Sequence, residues 1–296
     1  MADRATATAA TPPAAQTRTA CAVVPWTMIV WPPDDLGDST ATDNLHSDAV
    51  EACVRAAADS AARDGFVVLR GAVHADALSA LATTAFAAAC DEGLLTPDGA
   101  MVPASATEPW RGDAFTDPRW LRLQQQILPT RAFTSVGDSP AILRVLAALF
   151  GEGVTTRRGD ICRLLAPNAP AHTTRPHQDH WYVGGSLQVW TAWVPLRDCP
   201  MDTGGLAVLS QAQDTGLLPH SSLGDARQGC AVASDARWYS SDLLAGDVVL
   251  FNCLTVHRSW HNLHPTQPRM SVDYRYQPAS ARLDITRVDG TTAGTG

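Results

Sequence analysis

Along the first half of the chain, apolar residues recur at the three-to-four spacing of helices packed on one face. "SDAVEACVRAAADSAARDG" begins with Ser47 as a candidate cap and stops at Gly65. "HADALSALATTAFAAACDEG" is a second helix, closed by Gly93. "SPAILRVLAALFGEG" carries the fullest punctuation: Ser139 as cap, Pro140 at the first helical position and Gly151 beyond the end. Ile142, Val145, Leu146, Leu149 and Phe150 form its apolar face. Between the first two helices, Phe66 to Val73 reads as a short buried strand.

After Gly151 the period changes from helical to extended. The runs "DICRLLAP", "LQVWTAWVPL", "GGLAVLS", "GDVVLFNCLTVH" and "RMSVDYRYQP" are separated by Gly, Pro, Asn and Asp turns. Strands at these intervals suit a sandwich or barrel. The expected fold is mainly β with α: a jelly roll over about 154–278, with a helical part over about 44–150 packed on it. Residues 1–20 and 289–296 are poor in residues that could be buried and are expected as flexible tails, which leaves one domain over 21–288. The apolar run Ala20 to Pro33 is broken by Pro25 and is too short to span a membrane. It reads as an edge strand or packing arm.

Composition narrows the function classes. The net charge of −8 argues against nucleic acid or an anionic membrane as partner. All 22 basic residues are arginine, which excludes lysine chemistry such as a Schiff base. The seven cysteines are scattered and never paired as C-x-x-C, so neither a disulfide framework nor a thiolate zinc site is expected. A reducing, cytoplasmic setting fits them. A small-molecule substrate is the remaining expectation, and the sequence is silent on oligomeric state.

The candidate chemistry lies in "RPHQDHWYVGG". His177 and Asp179 are two apart, so on extended chain their side chains share a side. His257 lies near the end of "GDVVLFNCLTVH", a strand that a jelly roll can bring alongside. Two histidines and one carboxylate make the facial triad of non-heme Fe(II) sites, which leaves positions open for a co-substrate and O₂. His180 should point to the opposite side by the same parity, and His261 lies past the strand. His46, His74, His172, His220 and His264 receive no role. A co-substrate such as 2-oxoglutarate leaves a distal carboxylate to be held, and arginine matches a carboxylate in bidentate geometry. Arg269 opens the next strand, and Ser259 is a natural hydroxyl partner. Arg269, Ser271, Asp273 and Arg275 share one strand face, on which Asp273 and Arg275 read as a structural ion pair. Arg157 and Arg158 read equally as attractors of an anion or as a solvated turn.

The pieces "RDGFVVLRGAV", "HQDHWY", "WVPLRDCPMDTGGLAVL", "AGDVVLFNCLTVHRSWHN" and "RMSVDYRYQP" together resemble the phytanoyl-CoA dioxygenase family of Fe(II)/2-oxoglutarate oxygenases. The resemblance spans roughly Arg63 to Pro278. It implies a double-stranded β-helix (cupin-like), iron on His177, Asp179 and His257, and 2-oxoglutarate on Arg269 and Ser259. Trp193 would line the co-substrate pocket and Tyr182 its edge, with His180 and Trp181 as candidates to meet substrate. Two departures stand out. Ser210-Gln211-Ala212-Gln213 replaces the family's Pro-Gly-Ser-His turn, and no lysine is available for the strand before the motif, where Arg163 is the candidate replacement. The activity implied is hydroxylation of an unactivated C–H bond, as a tailoring step on a secondary metabolite, with O₂ consumed and succinate and CO₂ released. Desaturation, epimerisation and cyclisation remain open within the family. Outside it, a zinc hydrolase would have no use for Arg269, and a jelly-roll binding module would not need the full triad.

Overall fold

The computed structural model describes residues 23–24, 26, 28–31, 48–103, 117–169, 173–209, 216–222 and 228–282. Both expected tails, the Ser47 cap and the Ser210–Gln213 turn lie outside them, as do the side chains of Arg157 and Arg158.

Two sheets face each other. The larger has the strand order β2-β3-β10-β5-β12-β4. Its members are β2 (Met28–Val30), β3 (Phe66–Arg70), β4 (Val154–Leu165), β5 (Trp190–Pro195), β10 (Val248–Asn252) and β12 (Arg269–Pro278). The smaller has the order β1-β9-β6-β11, from β1 (Val23–Val24), β6 (Leu206–Leu209), β9 (Trp238–Tyr239) and β11 (His257–Ser259). A hairpin of β7 (His220–Ser222) and β8 (Gln228–Cys230) stands apart. The opposed sheets make the jelly roll. The run from Ala20 to Pro33 supplies β1 and β2, an edge strand to each sheet.

Five helices cover the outer face of the larger sheet: α1 (Asp48–Asp64), α2 (Ala75–Asp91), α3 (Pro118–Ile127), α4 (Arg131–Gly137) and α5 (Pro140–Phe150). Strand alternation sends Val67, Leu69, Val248, Leu250, Ala192, Val194, Val272, Tyr274 and Tyr276 outward into the helical core. The other face sends Phe66, Val68, Val249, Phe251 and Trp193 inward, against Leu206 and Val208. Tyr274 and Tyr276 tie the layers together by donating to the α4 carbonyls of Phe133 (2.8 Å) and Gly137 (2.6 Å). Gly137 is glycine because the Tyr274 ring lies on it: an added Cβ would sit 2.7 Å from the ring.

Two local expectations change. Ser139 does precede α5, and Gly151 closes it in the left-handed conformation, but the Ser139 hydroxyl donates to Ala72 O at 2.7 Å and does not cap the helix. "GDVVLFNCLTVH" is not one strand. The chain turns at Cys253–Thr255, where Thr255 N donates to Asn252 O and Leu254 N to Asn252 Oδ1, both at 2.9 Å. That turn carries the chain from β10 in one sheet to β11 in the other.

Candidate active site

His257 therefore begins β11 and does not end β10. The segment before α6 (Asp179–Val183) runs along the free edge of β11. His177 and His257 exchange both backbone hydrogen bonds, at 3.0 and 2.9 Å. This pairing puts both side chains on one face, with ring centroids 4.2 Å apart.

Asp179 does not share that strand. Gln178 is still extended, and Asp179 after it is the first residue of a single helical turn. His177 and Asp179, two apart across an extended residue, therefore point to one side, as their spacing predicts. Gln178 anchors this segment to its neighbours. Its buried side chain donates to Gly216 O and Leu254 O and accepts from Leu218 N, all at 2.7 Å. The His180 amide donates to Cys253 O at 2.9 Å, and the His180 ring contributes no atom to the ligand cluster.

His177, Asp179 and His257 are buried, and their ligand atoms lie within 4.8 Å of one another. Asp179 Oδ1 is 3.7 Å from His177 Nε2 and 3.6 Å from His257 Nε2. Each histidine has its Nδ1 against a carbonyl: Arg175 O at 2.7 Å and Thr255 O at 3.0 Å. A carbonyl can only accept, so Nδ1 carries the proton and Nε2 presents its lone pair to the centre. Burial, with His177 beside it, lowers the His257 pKa to about 3, so its ring is neutral at physiological pH. Burial opposes ionisation of Asp179, but the Arg275 guanidinium and the two histidines hold it well below the usual carboxylate range. Two imidazoles and one carboxylate converging on one point fit a divalent metal of the iron type.

Arg269 is also buried. Its guanidinium donates to Gly204 O (3.2 Å) and Ser271 Oγ (2.6 Å) and lies over the Trp193 ring, 5.4 Å from the centroid. Burial lowers its pKa to about 10, which leaves it charged. Gly204 has φ +89°, and a Cβ there would sit 2.3 Å from Leu165 Cδ2, so the carbonyl that meets Arg269 is fixed by a position only glycine fits. Among the described residues no carboxylate lies within ion-pair distance of Arg269.

The other expected residues are placed as follows. Ser259 is buried, and its hydroxyl accepts from Thr174 N (2.9 Å) and shares a hydrogen bond with Thr174 Oγ1 (2.7 Å). Arg163, the candidate second hold on 2-oxoglutarate, instead donates through Nε and Nη2 to Asp273 Oδ2, 2.8 Å each, so its charge is already met. Asp273 thereby pairs first with Arg163 and only at 3.6 Å with Arg275. Trp181 stacks on His220 at 4.8 Å with the rings nearly parallel, and Tyr182 meets His177 edge-on at 5.6 Å. His261 is not drawn into the cluster; its Nδ1 bonds Thr173 Oγ1 at 2.9 Å.

Four residues of the site had been given no part in it. His220 accepts from Gln178 N at 3.1 Å and so docks β7 against the metal motif. Nothing local marks it, because a loop contact sets its place. Gln178 was passed over as the spacer between two ligands. Thr191 and Arg275 both contact Asp179. Arg275 shares the inward parity of Arg269, a signal the sequence did contain.

A jelly roll with a two-histidine, one-carboxylate centre and an interior arginine defines a non-heme iron, 2-oxoglutarate-dependent oxygenase. The phytanoyl-CoA dioxygenase (PhyH) profile matches residues 61–271, and the chain belongs to that family. Among curated relatives, the 1-deoxypentalenic acid 11-beta-hydroxylase of Streptomyces exfoliatus is 28% identical over 232 residues, 73% of this chain and 78% of that protein. Its Streptomyces arenae counterpart is 32% identical over 164 residues, 50% of this chain and 58% of its own length. The chain thus matches somewhat over half of the S. arenae protein. Among solved structures, the epimerase SnoN from nogalamycin biosynthesis, in complex with Fe3+, alpha-ketoglutarate and nogalamycin RO, shares the fold. Its TM-score is 0.58 at 22% identity, over 83% of this chain and 92% of that one. The carbocyclase SnoK from the same biosynthesis gives 0.52 at 19%, over 86% and 92%.

Proposed function

We propose that this enzyme hydroxylates an unactivated C–H bond of a small molecule, as a tailoring step on a secondary metabolite, using Fe(II), 2-oxoglutarate and O₂. The observation that carries the proposal is Arg269. A buried guanidinium without its own carboxylate is costly unless a ligand supplies one. The distal carboxylate of 2-oxoglutarate does so, whereas a zinc hydrolase or a bare binding module leaves Arg269 unexplained. The two hydroxylase relatives support hydroxylation over epimerisation or cyclisation, since SnoN and SnoK share only the fold.

His177, Asp179 and His257 would hold the iron, each histidine aimed by its carbonyl contact. Arg269 would take the distal carboxylate, stiffened by Ser271 and by the face of Trp193, while Ser259 closes the same end through Thr174. Bound there, iron and 2-oxoglutarate supply O₂ activation and the oxidising equivalents for C–H oxidation. The inward apolar residues exclude water around them. His180, Trp181 and Tyr182 would face substrate, with the Trp181–His220 stack as a flat wall. The cysteines among the described residues are free, which supports a reducing, cytoplasmic setting. Among the described residues no single helix is long and apolar enough to cross a membrane.

The test loads the protein anaerobically with Fe(II), adds 2-oxoglutarate and a panel of small apolar natural products, then admits oxygen. Expected are succinate release that depends on one substrate and a product heavier by one oxygen atom, both abolished in His177→Ala. Full activity in His177→Ala contradicts the metal site. A product that gains no oxygen contradicts hydroxylation.

A further inference from the structure

Asp179 has two oxygens, and the protein assigns them different tasks. Oδ1 faces both histidines. Oδ2 accepts from Thr191 Oγ1 at 2.7 Å and from Arg275 Nη2 at 3.2 Å. Both donors are buried, and they are cross-strand partners: Thr191 on β5 stands opposite Arg275 on β12. Their side chains therefore leave the sheet on one face, side by side, beneath the carboxylate.

Arg275 is held there by an irregularity in its neighbour. Between Asp273 and Arg275 the pairing with β4 slips from Ile161 to Arg157, so β4 carries two extra residues opposite Tyr274. A bulge of this kind re-aims side chains and is common beside active sites. Here it wraps Arg275. Gly159, at φ +111°, turns its carbonyl to accept from Arg275 Nη1, and Asp160 Oδ1 accepts from the Arg275 amide at 2.9 Å. The guanidinium is thus fixed on one edge by the bulge and presents another to Asp179.

We infer that Arg275 is a positioning residue for the metal: with Thr191 it occupies Asp179 Oδ2 and so restricts the carboxylate to one ligand atom. This rests on the metal site proposed above. The consequence is coordination number. A carboxylate free to chelate through both oxygens would take a position that a two-atom co-substrate and O₂ require. An ordinary structural ion pair would have no such effect.

The test is titration with Co(II) alone, without 2-oxoglutarate, read by the visible absorption band, on the wild type, Arg275→Lys and Arg275→Met, with circular dichroism to confirm folding. The wild type is expected to bind one Co(II). Both variants should bind it ten- to a hundredfold more weakly, the usual effect of losing a partner behind a ligand. Their bands should also differ in shape, because the carboxylate is released. Arg275→Lys keeps the charge inside the fold but cannot contact Gly159 O and Asp179 together. A folded Arg275→Lys with unchanged affinity and band overturns the inference. If neither Arg275 variant folds, Thr191→Val removes the other donor from the same oxygen without touching a charge. It is expected to weaken binding about tenfold, and unchanged affinity and band there overturn the inference equally. A wild type that binds no Co(II) overturns the metal site itself, a separate failure.

Discussion

Asp160 shows how a single side chain here is held against its ordinary preference. Burial lifts its carboxyl to about 6, with the Arg275 amide and guanidinium pulling the other way. A folded-state pKa above the usual carboxylate value means that the neutral form favours folding. That contribution is present below the ordinary value and is lost as pH rises through about 6. At pH 8 the fold carries a partly buried charge. Asp160→Asn keeps an oxygen to accept from the Arg275 amide and removes that charge. It should stabilise the metal-free protein by about 2 kcal/mol at pH 8 and by almost nothing at pH 4. Urea denaturation at the two pH values checks this; equal stability of variant and wild type at pH 8 would sink it. The cluster itself was readable residue by residue: H-x-D and a histidine on a later strand, with an arginine twelve beyond it, stand out by type and order. The residues behind it were not. Thr191 and Arg275 reach Asp179 only because two strands are in a particular register and a third carries a bulge, and register is a property of pairs.

At the scale of elements, a few specific hydrogen bonds add to the apolar core that joins the helical layer to the sheet. Tyr274 and Tyr276 donate to α4 carbonyls, and Gln124 of α3 pairs with the backbone of Cys162 (2.6 and 2.8 Å), covering the outer edge of β4 as another strand would. Gly137→Ala tests the closest of these joints. The added methyl would lie 2.7 Å from the Tyr274 ring, which must then shift. Overpacking of this sort outweighs the helix-propensity gain of alanine, and the net loss should be about 1–2 kcal/mol. Thermal unfolding monitored by circular dichroism would show it, and a raised midpoint would contradict the packing described. The long helices were legible from period and punctuation, and the change to extended segments after Gly151 from turn residues. The single turn of α6 was not, because five residues carry no helical period. Nor was the break between β10 and β11, since an apolar run continues across it and the turn is made by Asn252 and backbone alone.

For the whole molecule, the jelly roll places an apolar, water-excluding face and a polar strand face in one interior. Along β12 the inward residues run Arg269, Ser271, Asp273 and Arg275, from the proposed co-substrate end to the His177–Asp179–His257 cluster. Arg163 meets Asp273, and Arg275 meets Asp179. Arg269 alone of these three arginines is left without a carboxylate among the described residues, and on that the account turns. The direct measurement is calorimetric titration of 2-oxoglutarate into the anaerobic Fe(II)-loaded protein, beside Arg269→Met. One equivalent should bind to the wild type. The variant should bind it about 10- to 150-fold more weakly, the loss of a charge-assisted contact worth about 1.5–3 kcal/mol. Equal affinity in Arg269→Met, or no binding to the iron-loaded wild type, would contradict the assignment.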